Sequence, residues 1–210
     1  MPSDPRNVNT STRPRLERAW YARDALVLSR ALLGCYLVHE SQEPGRTARV
    51  ARIVETEAYR GPKDLASHAR AGVTPRTRTL YGEEGHAYVF FIYGMHDCFN
   101  VTCFGAGRGH AVLVRAGEPV AGFGEGARLD GPGRFARAMG ISRSENGVDL
   151  AAAPGTSPLH LCERIGRPRV KVTARVGVAY AGEWADKPWR FLDAASPCVS
   201  RPPRKFIGRG

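Results

Sequence analysis

A-Y-V-F-F-I-Y-G-M-H-D-C-F-N-V-T-C, residues 87–103, is the stretch that decides the fold. Ala87 to Tyr93 are apolar or aromatic throughout, which suits a pleated, buried surface. Gly94 to Asp97 turn the chain, and Cys98 to Cys103 run back, so the segment reads as a β-hairpin. A hairpin in mid-chain needs no crossover helix and points away from a parallel, doubly wound sheet.

Outward from the hairpin, a glycine-rich loop at Gly105–Gly109 leads to a strand at His110–Arg115. Upstream, Ala48 to Tyr59 reads as a long strand. Strict alternation would put Ile53, Glu55, Glu57 and Tyr59 on one face and Val50, Val54 and Ala58 on the other. Before it, Asp24 caps a helix over Ala25–Leu33, Gly34 ends that helix, and Cys35–Val38 is a strand. After Gly61-Pro62, Asp64 caps a short helical turn over Leu65–His68, and residues 69–82 form a basic loop. Pro132–Met139 reads as a helix closed by Gly140, residues 145–169 as irregular, Val170–Tyr180 as a strand, and Trp189–Leu192 as the segment that closes the core. The expected class is α+β: one domain, a mostly antiparallel curved sheet with a protruding β-hairpin, and short surrounding helices. Residues 1–14 and the basic, Pro/Gly-containing stretch 201–210 have little to bury and are expected to be disordered or flexible.

The chain has 210 residues, enough for one good core. Its formal net charge is +11; of 31 cations, 27 are arginine and four lysine. That balance speaks to polyanionic partners, nucleic acid first among them. Arginine forks match phosphate oxygens, although a GC-rich coding bias would enrich arginine as well. No apolar run approaches the length of a membrane span, and Met1–Pro14 lacks the apolar core of a secretory signal. The five cysteines, Cys35, Cys98, Cys103, Cys162 and Cys198, form no C-x-x-C pair, and the six histidines form no H-E-x-x-H motif. They read as free thiols in a reducing compartment, with neither metal nor cofactor expected.

Chemistry concentrates in R-I-V-E-T-E-A-Y-R-G-P-K-D-L-A-S-H, residues 52–68. A strand has no folding reason to carry Glu55 and Glu57 and then Tyr59. Either the pair is solvated, or one carboxylate sits in a pocket where it can activate a water. Tyr59, His68 and Phe90 are flat rings that could form a slot for a planar base. Tyr93, next to the hairpin tip, either packs on its own domain or wedges between base pairs.

These segments resemble the alkyladenine (3-methyladenine) DNA glycosylase family. The likeness runs through V-E-T-E-A-Y-x-G-P-x-D-x-A-x-H at 54–68, T-P-R-T-R at 74–78 and Y-V-F-F-I-Y-G-M-H-D-C-F-N at 88–100. It continues through V-L-V-R-A at 112–116, G-P-G-R at 131–134 and A-R-V-G-V-A-Y-A-G-E-W-A-D-K-P-W-R-F at 174–191. The resemblance implies a monofunctional glycosylase domain over residues 15–200, acting in base excision repair on double-stranded DNA that carries damaged purines. The expected lesions are 3-methyladenine, 7-methylguanine, hypoxanthine and ethenoadenine. It implies Glu57, not Glu55, as general base for the attacking water, Arg115 beside that water, and a main-chain carbonyl of Val176 as a third contact. Tyr59 would stack on one face of the base, His68 and Phe90 on the other, with the His68 main-chain N–H reading the purine edge. Asn100 would exclude normal guanine, and Tyr93 would enter the gap in the duplex. Met95, His96, Arg76 and Arg78 are the further DNA contacts expected. Two departures stand out: Phe90 replaces a tyrosine found in the animal enzymes, and His96-Asp97 replaces an aromatic pair. No obligate protein partner or membrane contact is implied, and a monomer is expected. The expected location is cytoplasmic or nucleoid-associated in a bacterium, nuclear in a eukaryote. A binding protein that recognises a damaged nucleotide without cutting would keep the rings but need neither Glu57 nor Arg115.

Overall fold

Helix α1 is one turn, Arg18–Tyr21, and α2 spans Ala25–Leu32, its first turn capped by the Asp24 side chain, which accepts the Leu26 amide at 2.9 Å. Gly34 follows at φ +84°, a left-handed stop that a residue with a Cβ resists. The computed structural model describes residues 13–41, 43, 45, 47–92 and 94–200. The expectations for residues 1–12 and 201–210 lie outside the described residues.

Strands β1 (Tyr36–His39), β2 (Arg49–Arg60), β3 (Ala87–Ile92), β4 (His96–Cys103) and β5 (His110–Ala121) follow, then helix α3 (Pro132–Met139) and strands β6 (Leu159–Cys162), β7 (Val170–Thr173) and β8 (Arg190–Asp193). All pairings are antiparallel, in the order β3-β4-β5-β2-β1-β6. One edge of β2 is covered by β5. The other is shared, with β1 pairing its first residues and β8 its residues 55–57, and β7 adds on to β8. This curled antiparallel sheet with a few short helices is an α+β domain.

One face of the sheet is the core. Phe99 and Val101 of β4, Val112 and Val114 of β5, and Ile53 and Ala58 of β2 pack with Leu28 and Leu32 of α2 and Phe135 and Met139 of α3. The other face carries a row of direct register partners: Tyr88, Asn100, Leu113, Glu57 and Arg190, one from each of β3, β4, β5, β2 and β8. Opposed residues share a face, so five strands aim these side chains at one place.

Several expectations are corrected. Ile53 does not share a face with Glu57, because it lies in the core with Ala58. The register shifts on both sides of Glu55, so β2 carries a bulge. An inserted residue reverses the alternation, keeping Ile53 and Ala58 in the core while Glu57 and Tyr59 face away from it. Asp64 does cap a turn at Leu65–Ala66, its side chain accepting the Ala66 amide at 3.0 Å, but the 3-10 helix itself begins only at His68, where Ser67 caps it. The strand from Val170 ends at Thr173, and residues 179–184 are 3-10 helix instead. Residues 145–169 contain β6, whose four buried residues pair with β1. Four of the five cysteines are buried, Cys198 is half-buried, and all are free thiols.

Candidate active site

Tyr59, His68, Phe90, Asn100, Arg115 and Val176 line one cavity of about 530 Å³ on the face of the sheet away from the core. That is the size range of small-molecule sites. Its walls are rings. The His68 and Phe90 centroids lie 4.4 Å apart at 70°, and Tyr88 lies 5.5 Å from Phe90. Nδ1 of His68 and the Tyr88 hydroxyl are 3.0 Å apart, which fixes the imidazole. Burial, and then the charge of Arg76, push His68 down to about 4, so its ring is neutral at pH 7. The Arg76 guanidinium sits 5.6 Å from the Phe90 ring centre, a cation over the wall of the slot.

The Tyr59 ring is backed by Arg175 at 4.8 Å, and Arg175 rests in turn on Trp189 at 4.9 Å. Asn100 is almost fully buried, and its amide nitrogen donates to the carbonyls of Tyr88 and Cys98 at 3.0 and 3.3 Å. Both bonds pin the amide group, which leaves its oxygen as the free polar atom at that wall.

The two glutamates have different surroundings, although both are fully buried. Glu55 accepts Nε of Arg115 and Nε of Arg190, each at 2.7 Å, together with the Ser200 hydroxyl at 2.8 Å and the Ser200 amide at 2.6 Å. Burial alone would raise its pKa; Arg115 and Arg190 outweigh that and hold it below the usual carboxylate value. Its lone pairs are taken. Glu57 is held more loosely: by the Val176 amide at 2.8 Å, the Tyr59 hydroxyl at 2.9 Å and Nη1 of Arg115 at 3.3 Å. Tyr59, Arg115 and Val176 all line the cavity, so Glu57 stands directly behind its wall. Burial, then the neighbouring negative charge of Glu57, keep the Tyr59 hydroxyl protonated well above its usual range. The carboxylate therefore always has that donor.

The structure gathers Glu57, Arg115, Val176, Tyr59, His68, Phe90 and Asn100 around this space. Val176 meets Glu57 through its amide. His96 is exposed and lines the rim, close enough to Gly133 that a Cβ there would meet its ring at 2.7 Å. Met95 is 69% exposed, and Arg76 and Arg78 are exposed. Tyr93 lies outside the described residues. Four further residues emerge only here. Arg175, next to Val176, forks onto buried Asp64 at 2.6 and 2.9 Å, and Arg190 and Ser200 hold Glu55. A buried arginine needs a carboxylate, but nothing in the chain order pairs 64 with 175 or 55 with 200. Among the described residues no group of three or more His, Cys, Asp or Glu side chains could hold a metal ion.

An antiparallel α+β domain with one aromatic-walled cavity, a buried carboxylate behind it and a cationic margin is the class of protein that fold and site define. The chain belongs to the methylpurine-DNA glycosylase family, whose model matches residues 19–197. It is 50% identical over 190 residues to a Myxococcus xanthus protein, covering 90% of this chain and 94% of that one. An Anaeromyxobacter dehalogenans relative is 49% identical (90% and 87% covered), and one from Methanocella arvoryzae is 43% identical (90% and 96% covered). All three carry the provisional name 3-methyladenine DNA glycosylase. The protein is thus a DNA glycosylase, a DNA-repair hydrolase of N-glycosidic bonds.

Proposed function

We propose that this enzyme accepts an alkylated or deaminated purine nucleotide, everted from duplex DNA, into the 530 Å³ cavity, and that Glu57 activates the water that cleaves the glycosidic bond. 3-Methyladenine, 7-methylguanine and hypoxanthine are the expected bases, with ethenoadenine a further candidate. The observation that carries this reading is the contrast between the glutamates: Glu55 is saturated by two arginines and Ser200, whereas Glu57 is an oriented carboxylate just behind the cavity wall.

The chemistry follows from the positions. A base between Tyr59 on one side and His68 with Phe90 on the other places its sugar toward Arg115, Val176 and Glu57. As the glycosidic bond breaks, positive charge develops on the sugar. Glu57 can offset that charge and take the proton of the attacking water. A neutral His68 does not repel a cationic alkylated base, and electron-rich ring faces favour one. The oxygen of Asn100 stands where a purine edge would lie. Eversion costs a few kcal/mol, less for a base whose pairing is damaged, which supplies part of the selectivity. Tyr93, which directly precedes Gly94 in the sequence between β3 and β4, is proposed as the wedge. Water, not a lysine, is the nucleophile, so the product is an abasic site.

The test is a duplex with one 3-methyladenine or hypoxanthine, incubated with enzyme and then alkali, which cuts the strand where a base has left. Wild type should yield the cut. Glu57→Gln should not, while binding an abasic-analogue duplex as before. Full turnover by that variant would remove Glu57 from the mechanism, and tight binding without any cutting by wild type would leave a lesion-binding protein.

A further inference from the structure

Arg115 is claimed by both glutamates. Its Nε meets Oε1 of Glu55 at 2.7 Å, its Nη1 meets Oε1 of Glu57 at 3.3 Å, and its Nη2 donates to the Ser200 hydroxyl at 3.3 Å. The same hydroxyl donates to Glu55 at 2.8 Å, and the Ser200 carbonyl accepts Nη2 of Arg190 at 3.0 Å. Ser200 is 5% exposed, and its amide and hydroxyl reach Glu55 of β2 and its hydroxyl Arg115 of β5. One guanidinium between two carboxylates cannot neutralise both fully. Whatever strengthens its bond to Glu55 weakens its hold on Glu57.

We propose that Glu55 and Ser200 are positioning residues that set how strongly Arg115 engages Glu57, and thereby how basic the Glu57 carboxylate is. This rests on the reading of Glu57 as the base. Glu55, balanced by Arg190, takes the shorter, hydrogen-bonded contact to Arg115, at 2.7 Å against 3.3 Å for Glu57. Glu57 keeps its orientation from the Val176 amide and the Tyr59 hydroxyl, yet is left with one long contact to a cation. A base fully paired to arginine would be a poor proton acceptor. Ser200 limits the opposite extreme. By donating to Glu55 it satisfies part of that carboxylate, so Arg115 is not pulled wholly away.

The groups facing Glu57 from its surroundings are few. They are Tyr59 and Glu55 on β2, Arg115 on β5 and Arg190 as its register partner on β8. On β4 there is Cys98, whose thiol burial pushes up to about 11. Tyr59 and Cys98 stay protonated across the working range, and the arginines stay charged. The Glu55–Arg115–Ser200 arrangement is thus the adjustable one.

Two variants pull in opposite directions. Glu55→Gln removes the competing charge, Arg115 then serves Glu57, and the acid limb of the single-turnover rate–pH profile should move to lower pH. Ser200→Ala removes a donor from Glu55, Arg115 moves toward Glu55, and the acid limb should move to higher pH. At neutral pH the rate of Glu55→Gln should fall by about tenfold and that of Ser200→Ala should not, with affinity for an abasic-analogue duplex retained in both. Loss of structure cannot produce opposite shifts. Coincident acid limbs in Ser200→Ala and wild type, or shifts of the same sign in both variants, would overturn the proposal. If Glu55→Gln does not fold, Ser200→Ala decides alone: it removes one hydroxyl and no charge, and an acid limb that stays in place refutes the idea. Glu57→Gln run alongside keeps the readings apart: its inactivity with an unmoved Ser200→Ala limb defeats this inference only, whereas its activity defeats the assignment of the base.

Discussion

Asp64 receives both terminal nitrogens of Arg175, at 2.6 and 2.9 Å, with neither side chain exposed. The same guanidinium donates to the carbonyls of Ala58 and Trp184 and lies against the ring of Tyr59. One buried pair thus ties the loop carrying Val176 to the strand carrying Glu57 and backs the wall of the cavity. Asp64→Asn leaves a buried arginine charge without its counter-ion. It should cost about 3–5 kcal/mol of unfolding free energy. Denaturant titration checks this, and a loss below about 1 kcal/mol would show that the pair contributes little.

Tyr59→Phe keeps the stacking ring and removes the donor to Glu57. Base release in single turnover should slow by at least about tenfold, since a hydrogen bond to a charged group is worth about 1.5 kcal/mol. Affinity for an abasic-analogue duplex should hold. Weaker binding at an unchanged rate would assign the hydroxyl to recognition instead.

His68 titrates at about 4 in the folded chain, through burial and then Arg76, and near ~6.5 when unfolded. Between those values the unfolded chain binds more protons. The stability is therefore fully present above ~6.5 and is lost as pH falls toward 4. His68→Gln should flatten the decline in unfolding free energy across that window. Urea unfolding of both proteins at pH 7, 6, 5 and 4.5 measures the difference, and parallel curves would contradict it.

Phe90→Tyr places a hydroxyl at the wall formed with His68 and Tyr88. A hydrogen bond there helps a neutral base more than a cationic one, which leaves readily on its own. Hypoxanthine release should rise relative to 3-methyladenine release by roughly threefold, the worth of one ordinary hydrogen bond. Competition between the two duplexes in one tube gives the ratio directly.

Arg134 lines the cavity, Arg76 lies over Phe90 at its wall, and Arg78 is exposed two residues further on, in a chain of net charge +11. Binding to lesion duplex should fall steeply with salt. Arg78→Ala, if the side chain meets a phosphate, should lower the log–log slope by about one without changing lesion preference. An unaltered slope would remove Arg78 from the interface.

Local chemistry explains what could be read in advance. Asp24, Gly34 and Gly140 announce the ends of α2 and α3 because caps and left-handed stops need particular side chains. The hairpin and the long strand follow from runs of apolar and β-branched residues. The four residues of β6, L-H-L-C, are too short and too mixed to stand out, and they become a strand only because β1 offers them an edge. Likewise Val172 and Thr173 end their strand where β8 stops pairing, although the apolar pattern runs on to Tyr180.

The order of residues determined that this is an antiparallel α+β domain, cationic, with two carboxylates and a tyrosine in E-T-E-A-Y and a run of rings in a hairpin. It could not show that the two glutamates have different surroundings. Alternation treats Glu55 and Glu57 as equals on one face. That difference was made by the bulge in β2, which turns both away from the core, and by Arg190 and Ser200, more than 130 residues along the chain, which saturate Glu55 and do not bond Glu57. A carboxylate's chemistry is set by the charges and donors within a few ångströms, and only folding brings those together.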